Sequence, residues 1–154
     1  MHPTCFLTGA SGFVGRHLAP KLAEHHRLRV LVRPGQQLPQ LAAVDHERIE
    51  GRLSDAASLA RGCDGADVVV HLAAMVSFRP EDRAAMFAVN TDATATLCAA
   101  ARAAGVRRLL RCSTISAGAD RRRGRPPKPR KPPPPPPAGS ACGAARRTRR
   151  VAPR

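Results

Sequence analysis

The sequence predicts an α/β domain built on an open parallel sheet with helices on both faces, and three features carry that prediction. A glycine-punctuated loop, Thr8-Gly9-Ala10-Ser11-Gly12-Phe13-Val14-Gly15, follows at once on the apolar run Cys5-Phe6-Leu7. Short β-branched runs then alternate with stretches whose apolar residues recur at helical spacing. One such run, Asp67-Val68-Val69-Val70-His71-Leu72, is apolar without alternation, as a strand covered on both faces must be.

The first strand ends at Thr8, where the chain must turn sharply into a helix. Gly9 supplies the backbone freedom for that turn. Gly12 leaves room for a pyrophosphate to approach the main chain, where the first N–H groups of the helix point outward and its dipole favours negative charge. Gly15, one turn on, lets helix and strand pack closely. Val14, Leu18, Leu22 and His25 recur at spacings of 4, 4 and 3 and predict one inward stripe on this helix. A second strand over Leu28-Arg29-Val30-Leu31-Val32 completes a βαβ unit within about 30 residues. Glu47 to Glu50 reads as a third strand, Asp55 to Arg61 as a short helix, and Asp67 to Leu72 as the buried fourth strand. A long helix is predicted from about Glu81 to Ala104, because Met86, Val89, Ala93, Leu97, Ala100 and Ala104 fall on one face, and Gly105 stops it. Val106 to Cys112 makes a fifth strand that delivers Ser113 and Thr114. In an open parallel sheet the carboxyl ends of the strands form the ligand crevice, so these hydroxyls are expected near the glycine loop. The expectation is a Rossmann-type parallel sheet, truncated after its fifth strand.

Composition divides the chain. Its 154 residues are 43% apolar, enough for one modest core. Residues 1–118 carry 14 Lys/Arg against 10 Asp/Glu, whereas 119–154 carry 12 against 1 and hold 10 of the 15 prolines. The second segment has Val151 as its one large aliphatic residue and is expected to be a disordered tail, with polyproline II stiffness through Pro132 to Pro137. The predicted organisation is therefore a nucleotide-binding domain over 1–118 and a basic, proline-rich tail over 119–154. The five cysteines form no C-x-x-C pair, which fits reduced thiols rather than a disulfide framework or a zinc site; no metal is expected. No apolar run approaches the ~20 residues of a membrane span, and the start has no secretory pattern, so no membrane partner is expected and cytoplasm is the default location.

Taken together, the glycine loop, His71-Leu72-Ala73-Ala74, Val89-Asn90-Thr91, Ala104-Gly105-Val106 and Cys112-Ser113-Thr114 resemble, in order and spacing, the extended short-chain dehydrogenase/reductases. These are grouped as the NAD-dependent epimerase/dehydratase family and include steroid-dehydrogenase-like and dihydroflavonol-reductase-like members. The resemblance covers roughly residues 4 to 117. It implies NAD(P) as cofactor, bound by Gly9, Ser11, Gly12, Phe13, Val14 and Gly15 at the loop, by Leu72, Ala73 and Ala74 beyond the fourth strand, and by Leu53 on the adenosine side. It implies an active-site role for Asn90, which a scaffold role satisfying backbone groups would match equally well. Thr114, with Ser113 next, takes the place of the family's catalytic hydroxyl. His71 reads as a hydrogen-bonded core residue.

Two departures concern chemistry. The family's proton-transferring Tyr, whose pKa is lowered by a Lys four residues later, has no counterpart, because the 154 residues contain no tyrosine. At the end of the second strand Arg33, 18 residues beyond Gly15, stands where NAD-preferring relatives carry an acidic residue. A guanidinium suits a 2′-phosphate, so NADP is favoured over NAD. Arg52 likewise stands where the family usually has an Asp against the adenine amino group. The expected function is an NAD(P)-binding domain of an epimerase, dehydratase or reductase type, catalytically incomplete, with its small-molecule substrate undefined.

The tail admits three readings. Arg123-Gly124-Arg125-Pro126 resembles an AT-hook core, and residues 121–150 could hold nucleic acid or another polyanion non-specifically, which makes a non-enzymatic binding protein the alternative function. Lys128-Pro129-Arg130-Lys131 before six prolines resembles an SH3 ligand. The third is a frameshift in a G+C-rich gene, since Arg, Pro, Ala and Gly make up 29 of these 36 residues and all have codons beginning with two G/C bases; composition favours this one.

Overall fold

The computed structural model describes residues 2–113. Thr114 and the basic segment lie outside the described residues, and with them the tail readings. The described residues form five strands, β1 (Thr4–Thr8), β2 (Arg27–Val32), β3 (His46–Glu50), β4 (Val68–His71) and β5 (Arg108–Arg111). All pair in parallel, in the order β3-β2-β1-β4-β5. β2 and β3 run outward from β1 in one direction and the chain then crosses back to place β4 on its other side. The strand order reverses between β1 and β4, and this is the point at which a parallel sheet opens a crevice at its carboxyl edge.

Helix α1 (Phe13–Ala23) joins β1 to β2, and α2 (Ala56–Cys63) joins β3 to β4. Each face of the sheet has its own core. Cys5, Leu7, Val30, Val32 and Ala19 pack on the α1 side with Leu41. Phe6, Val69, Leu59, Cys63, Leu97 and Ala101 pack on the other. Alternate residues of β1 thus enter opposite cores, which is why it reads as an unbroken apolar run. Phe6 abuts α2 at Gly62, where an added Cβ would stand 2.1 Å from the ring. Burial pushes the Cys5 and Cys63 thiols up to about 11, so at neutral pH both are protonated, core-filling groups.

Two elements depart from the sequence expectation. The buried residues of α1 are Gly15 and Ala19, with Leu18 and Leu22 half-buried, while Val14 is 49% exposed and His25 lies exposed beyond the helix. The inward face is turned by about one residue from the apolar stripe. Contact decides it: a Cβ on Gly15 would lie 2.1 Å from the Gly9 carbonyl oxygen and 2.7 Å from Ala10 Cα, so the helix meets the strand end with its smallest residue. The long helix is not a single α-helix. It opens with a 3₁₀ turn (Pro80–Asp82), continues as α3 (Arg83–Phe87), passes through a π turn (Ala88–Asp92) and resumes as α4 (Ala93–Ala103). In the π turn Ala93 N–H donates to the carbonyl of Ala88, five residues back. The extra residue shifts the phase, so α4 buries Ala93, Leu97 and Ala101, leaving Ala100 half-buried and Ala104 exposed. Gly105 ends the helix as expected.

Arg29 fixes α2 against the sheet. Its guanidinium pairs with Glu47 across the β2–β3 register at 2.8 Å and donates to the carbonyls of Gly62 (3.1 Å) and Asp64 (2.6 Å), satisfying groups that the end of α2 leaves without helical partners. At the other end Asp55 caps α2, accepting from Ala57 N–H at 3.0 Å and from the Ser58 hydroxyl, which holds the Asp55 carboxyl below the usual range. No helix among the described residues is long and apolar enough to cross a membrane.

Candidate functional site

A crevice of about 600 Å³ opens at the switch point between β1 and β4. Its floor is backbone. Gly9 turns with φ of 81°, and a Cβ there would stand 2.5 Å from Ala73 N, so the loops after β1 and β4 touch main chain to main chain. Gly12 N–H donates to the Gly9 carbonyl at 3.0 Å and closes the loop. Gly12 is also the N-cap of α1, without a side-chain cap and with no acidic residue in the first turn. The amino end of the helix is therefore offered to the crevice as a partial positive charge.

Most of the sequence-predicted cofactor residues meet here. Gly9, Ser11 and Gly12 line the crevice on the loop side, Leu72, Ala73 and Ala74 beyond β4, and Arg33 and Leu53 at the far end. Phe13, Val14 and Gly15 do not line it. Phe13 is 74% exposed with Arg16 over its ring, Val14 is half-exposed, and Gly15 is buried under the loop, where it lets the helix start lie against it. Further lining comes from Gln36, Arg52, Ser54, Met75, Ala88 and Val89. Adjacency to Arg33 and Ala74 was the available signal for Gln36 and Met75; the π turn that brings Ala88 and Val89 inward has none.

The far end is cationic. Arg33 and Arg52 share it, and among the described residues neither has a carboxylate partner. The Gln36 amide oxygen accepts from Arg33 N–H and Nε, both at 3.3 Å, and holds the arginine at the end of β2.

Asn90 is half-buried and does not line the crevice. Its carboxamide clamps the main chain of Met75: Oδ1 accepts from Met75 N–H at 2.8 Å, and Nδ2 donates to the Met75 carbonyl at 2.7 Å. Its geometry is that of a support for the crevice wall. Ser113 is exposed just past β5 and does not line the crevice, and Thr114 lies outside the described residues.

His71 ends β4 at 2% exposure, hydrogen-bonded to Thr8 and Thr94. Burial, with the Arg111 charge adding to it, pushes its pKa below the ordinary histidine value. The unfolded chain then binds the proton more readily than the folded one. The stability this residue contributes is complete above the ordinary histidine range and is lost as pH falls through the lower folded value. Urea midpoints of wild type and His71→Gln should therefore converge as the pH is taken from 7.5 to 5; a constant gap would show that His71 does not titrate with folding.

The sheet order, the glycine turn and the crevice define a Rossmann-type nucleotide-binding fold. The chain belongs to the NAD-dependent epimerase/dehydratase family, whose sequence model matches residues 5–149. It is 36% identical over 115 residues to sterol demethylase protein B of Methylococcus capsulatus, covering 74% of this chain and 35% of that protein. It is 38% identical over 122 residues to the 4-hydroxy-2-methyl-3-oxo-4-farnesyl-3,4-dihydroquinoline-1-oxide ketoreductase of Stigmatella aurantiaca, covering 79% and 35%. Among solved structures it resembles a short-chain dehydrogenase/reductase superfamily protein from Agrobacterium tumefaciens with bound NAD, at 34% identity and a TM-score of 0.63, covering 72% of this chain and 32% of that one. A mutant uronate dehydrogenase from Agrobacterium tumefaciens complexed with NAD matches at 27% identity and a TM-score of 0.62, covering 74% and 42%. The chain spans about a third of the length of the curated relatives it matches.

Proposed function

We propose that this domain binds an NAD(P) dinucleotide, with its pyrophosphate over Gly12 at the start of α1 and its adenosine end toward Arg33 and Arg52. It would serve as the cofactor-binding part of a reductase, epimerase or dehydratase acting on a hydroxyl or carbonyl substrate. One observation carries the reading: the backbone-floored crevice at the β1/β4 switch point joins an uncapped helix N-terminus to a cationic far end. NADP is the favoured form. Among the described residues the two arginines have no carboxylate partner, so a 2′-phosphate supplies the missing negative charge, and planar guanidinium groups match its oxygens in pairs. Where an NAD site needs an acceptor for the ribose hydroxyls, this chain offers donors.

Fluorescence titration should show saturable binding of both reduced dinucleotides, with NADPH the tighter. Arg33→Asp should weaken NADPH about tenfold or more, the scale of one lost charge-assisted contact, and leave or improve NADH. An unchanged NADPH/NADH ratio would show that Arg33 is a solvated surface charge.

A further inference from the structure

Five hydrogen bonds form a continuous line beneath the crevice. Thr8 Oγ1 lies 2.6 Å from His71 Nδ1, His71 Nε2 lies 3.1 Å from Thr94 Oγ1, and Thr94 Oγ1 donates to the Asn90 carbonyl at 3.0 Å. Asn90 then grips both main-chain polar groups of Met75, which lines the crevice. The direction of the line follows from valence. A carbonyl can only accept, so the single Thr94 hydroxyl proton is committed to Asn90, and Thr94 Oγ1 must accept from His71 Nε2–H. In the neutral imidazole Nδ1 is then the acceptor, and Thr8 donates to it.

Each end of this line is a place where the backbone needs holding. Thr8 immediately precedes Gly9, the turn on which the phosphate loop depends. Asn90 sits in the π turn, where the ordinary helical ladder is broken and a threonine four residues on bonds back to its carbonyl. We propose that His71 is a positioning residue for the dinucleotide crevice, tying the glycine-loop strand through Thr94 to the Asn90–Met75 clamp so that both walls keep one spacing. The proposal rests on the dinucleotide reading above. His71 touches no ligand in it: the imidazole is buried and absent from the lining, and acts only through Thr8 and Thr94. Among the described residues the charge that acts on the imidazole is that of Arg111 on β5, while β1 and α4 present hydroxyls to it.

Thr94 is the place to cut the line, because it borders neither the crevice nor the loop. In the full 154-residue chain, Thr94→Val should weaken NADPH about tenfold by fluorescence titration, and Thr94→Ser, which restores the hydroxyl, should recover it. Amide hydrogen exchange of the unliganded protein supplies a second readout. Met75 N–H should lose protection in Thr94→Val and regain it in Thr94→Ser, while Val30 in the central sheet is unchanged; a packing defect alone would not spare Val30 and respond to serine. Thr94→Ala gives the same two measurements should valine overpack the site. Wild-type affinity and Met75 protection in Thr94→Val and Thr94→Ala, with Gly12→Val abolishing binding, would overturn the positioning role and leave the dinucleotide reading standing. A wild-type chain that binds neither dinucleotide overturns both.

Discussion

Gly15→Val should leave the chain unfolded, and Gly12→Val should leave it folded but unable to bind a dinucleotide. The two glycines sit three residues apart in one motif, yet their surroundings differ. At Gly15 a single added Cβ would stand 2.1 Å from the Gly9 carbonyl oxygen, 2.8 Å from its carbon and 2.7 Å from Ala10 Cα. All three are backbone atoms of the loop itself, so no side chain can swing aside. Relief requires lifting α1 off the end of β1, which uncovers the core formed by Leu7, Ala19 and Val30. Overpacking of an ordinary core site costs about 1–3 kcal/mol. A clash with rigid main chain should exceed that and consume much of the ~5–15 kcal/mol by which a domain is stable. At Gly12 the same Cβ meets only the Gly9 oxygen at 3.3 Å. The N-cap dihedrals, φ −74° and ψ 171°, are open to any residue. A side chain there asks only a few tenths of an ångström of the Gly9 carbonyl, and the bulk of a valine takes up space at the helix start that a pyrophosphate would need. Circular dichroism and urea midpoints separate the outcomes: even Gly15→Ala should be lowered sharply, Gly12→Val should lie within about 1 kcal/mol of wild type, and only the latter tests ligand affinity. A Gly15→Ala midpoint equal to wild type would mean that the helix rides higher on the strand than the geometry here has it.

The first half of the fold was legible because its signals are local. Glycine spacing marks the β1 turn, and the valine run marks β4. The rotation of α1 escaped the apolar pattern because packing there is decided by an absent side chain, and hydrophobic periodicity counts only those that are present. The π turn escaped for a related reason. An inserted residue turns a helix face by about 100°, but in a segment as alanine-rich as 93–104 every face looks equally suited to a core. The Arg29 cap on α2 joins a strand side chain to the carbonyls of Gly62 and Asp64, and no periodicity encodes such a contact. At the site, residues whose backbone makes the wall (Gly9, Gly12, Ala73) were readable from the motif, and those that enter by the route of a loop, Gln36 and Met75, were not. Asn90 was open between an active-site role and a scaffold role, and the bidentate grip on Met75 gives it the latter geometry. His71 was readable as a buried, hydrogen-bonded histidine; that its two partners lead to opposite walls of the crevice depends on α4 lying against β4.

The purified 154-residue chain should show no dinucleotide-dependent turnover on hydroxysteroids, nucleotide sugars or flavonoid-type ketones, whatever its affinity for NADPH. Hydride transfer to a carbonyl needs a proton delivered to the oxygen, and the reverse needs one removed. The sequence contains no tyrosine to do this. Among the described residues that line the crevice, the ionisable groups are Arg33 and Arg52, and a guanidinium does not release its proton in the accessible pH range. His71 lies close beneath, but both ring nitrogens are engaged, with Thr8 and Thr94. The Cys5 and Cys63 thiols, pushed up to about 11, are core groups. A hydroxyl at Ser113 or Thr114 can polarise a substrate oxygen but cannot exchange a proton with it at neutral pH. General acid–base help of the missing kind is worth about 10²–10⁴ in rate. Without a counterpart to the Lys that follows the family's Tyr, an error of ~1 Å in hydride position costs on the order of a further 10²-fold. The product of the two puts turnover below what an absorbance assay at 340 nm detects, on the order of 10⁴–10⁶ under a competent relative. NADPH oxidation well above that floor, abolished by Thr114→Val and retained by a sample free of host dehydrogenases, would refute the prediction and would require a proton donor among residues 114–154.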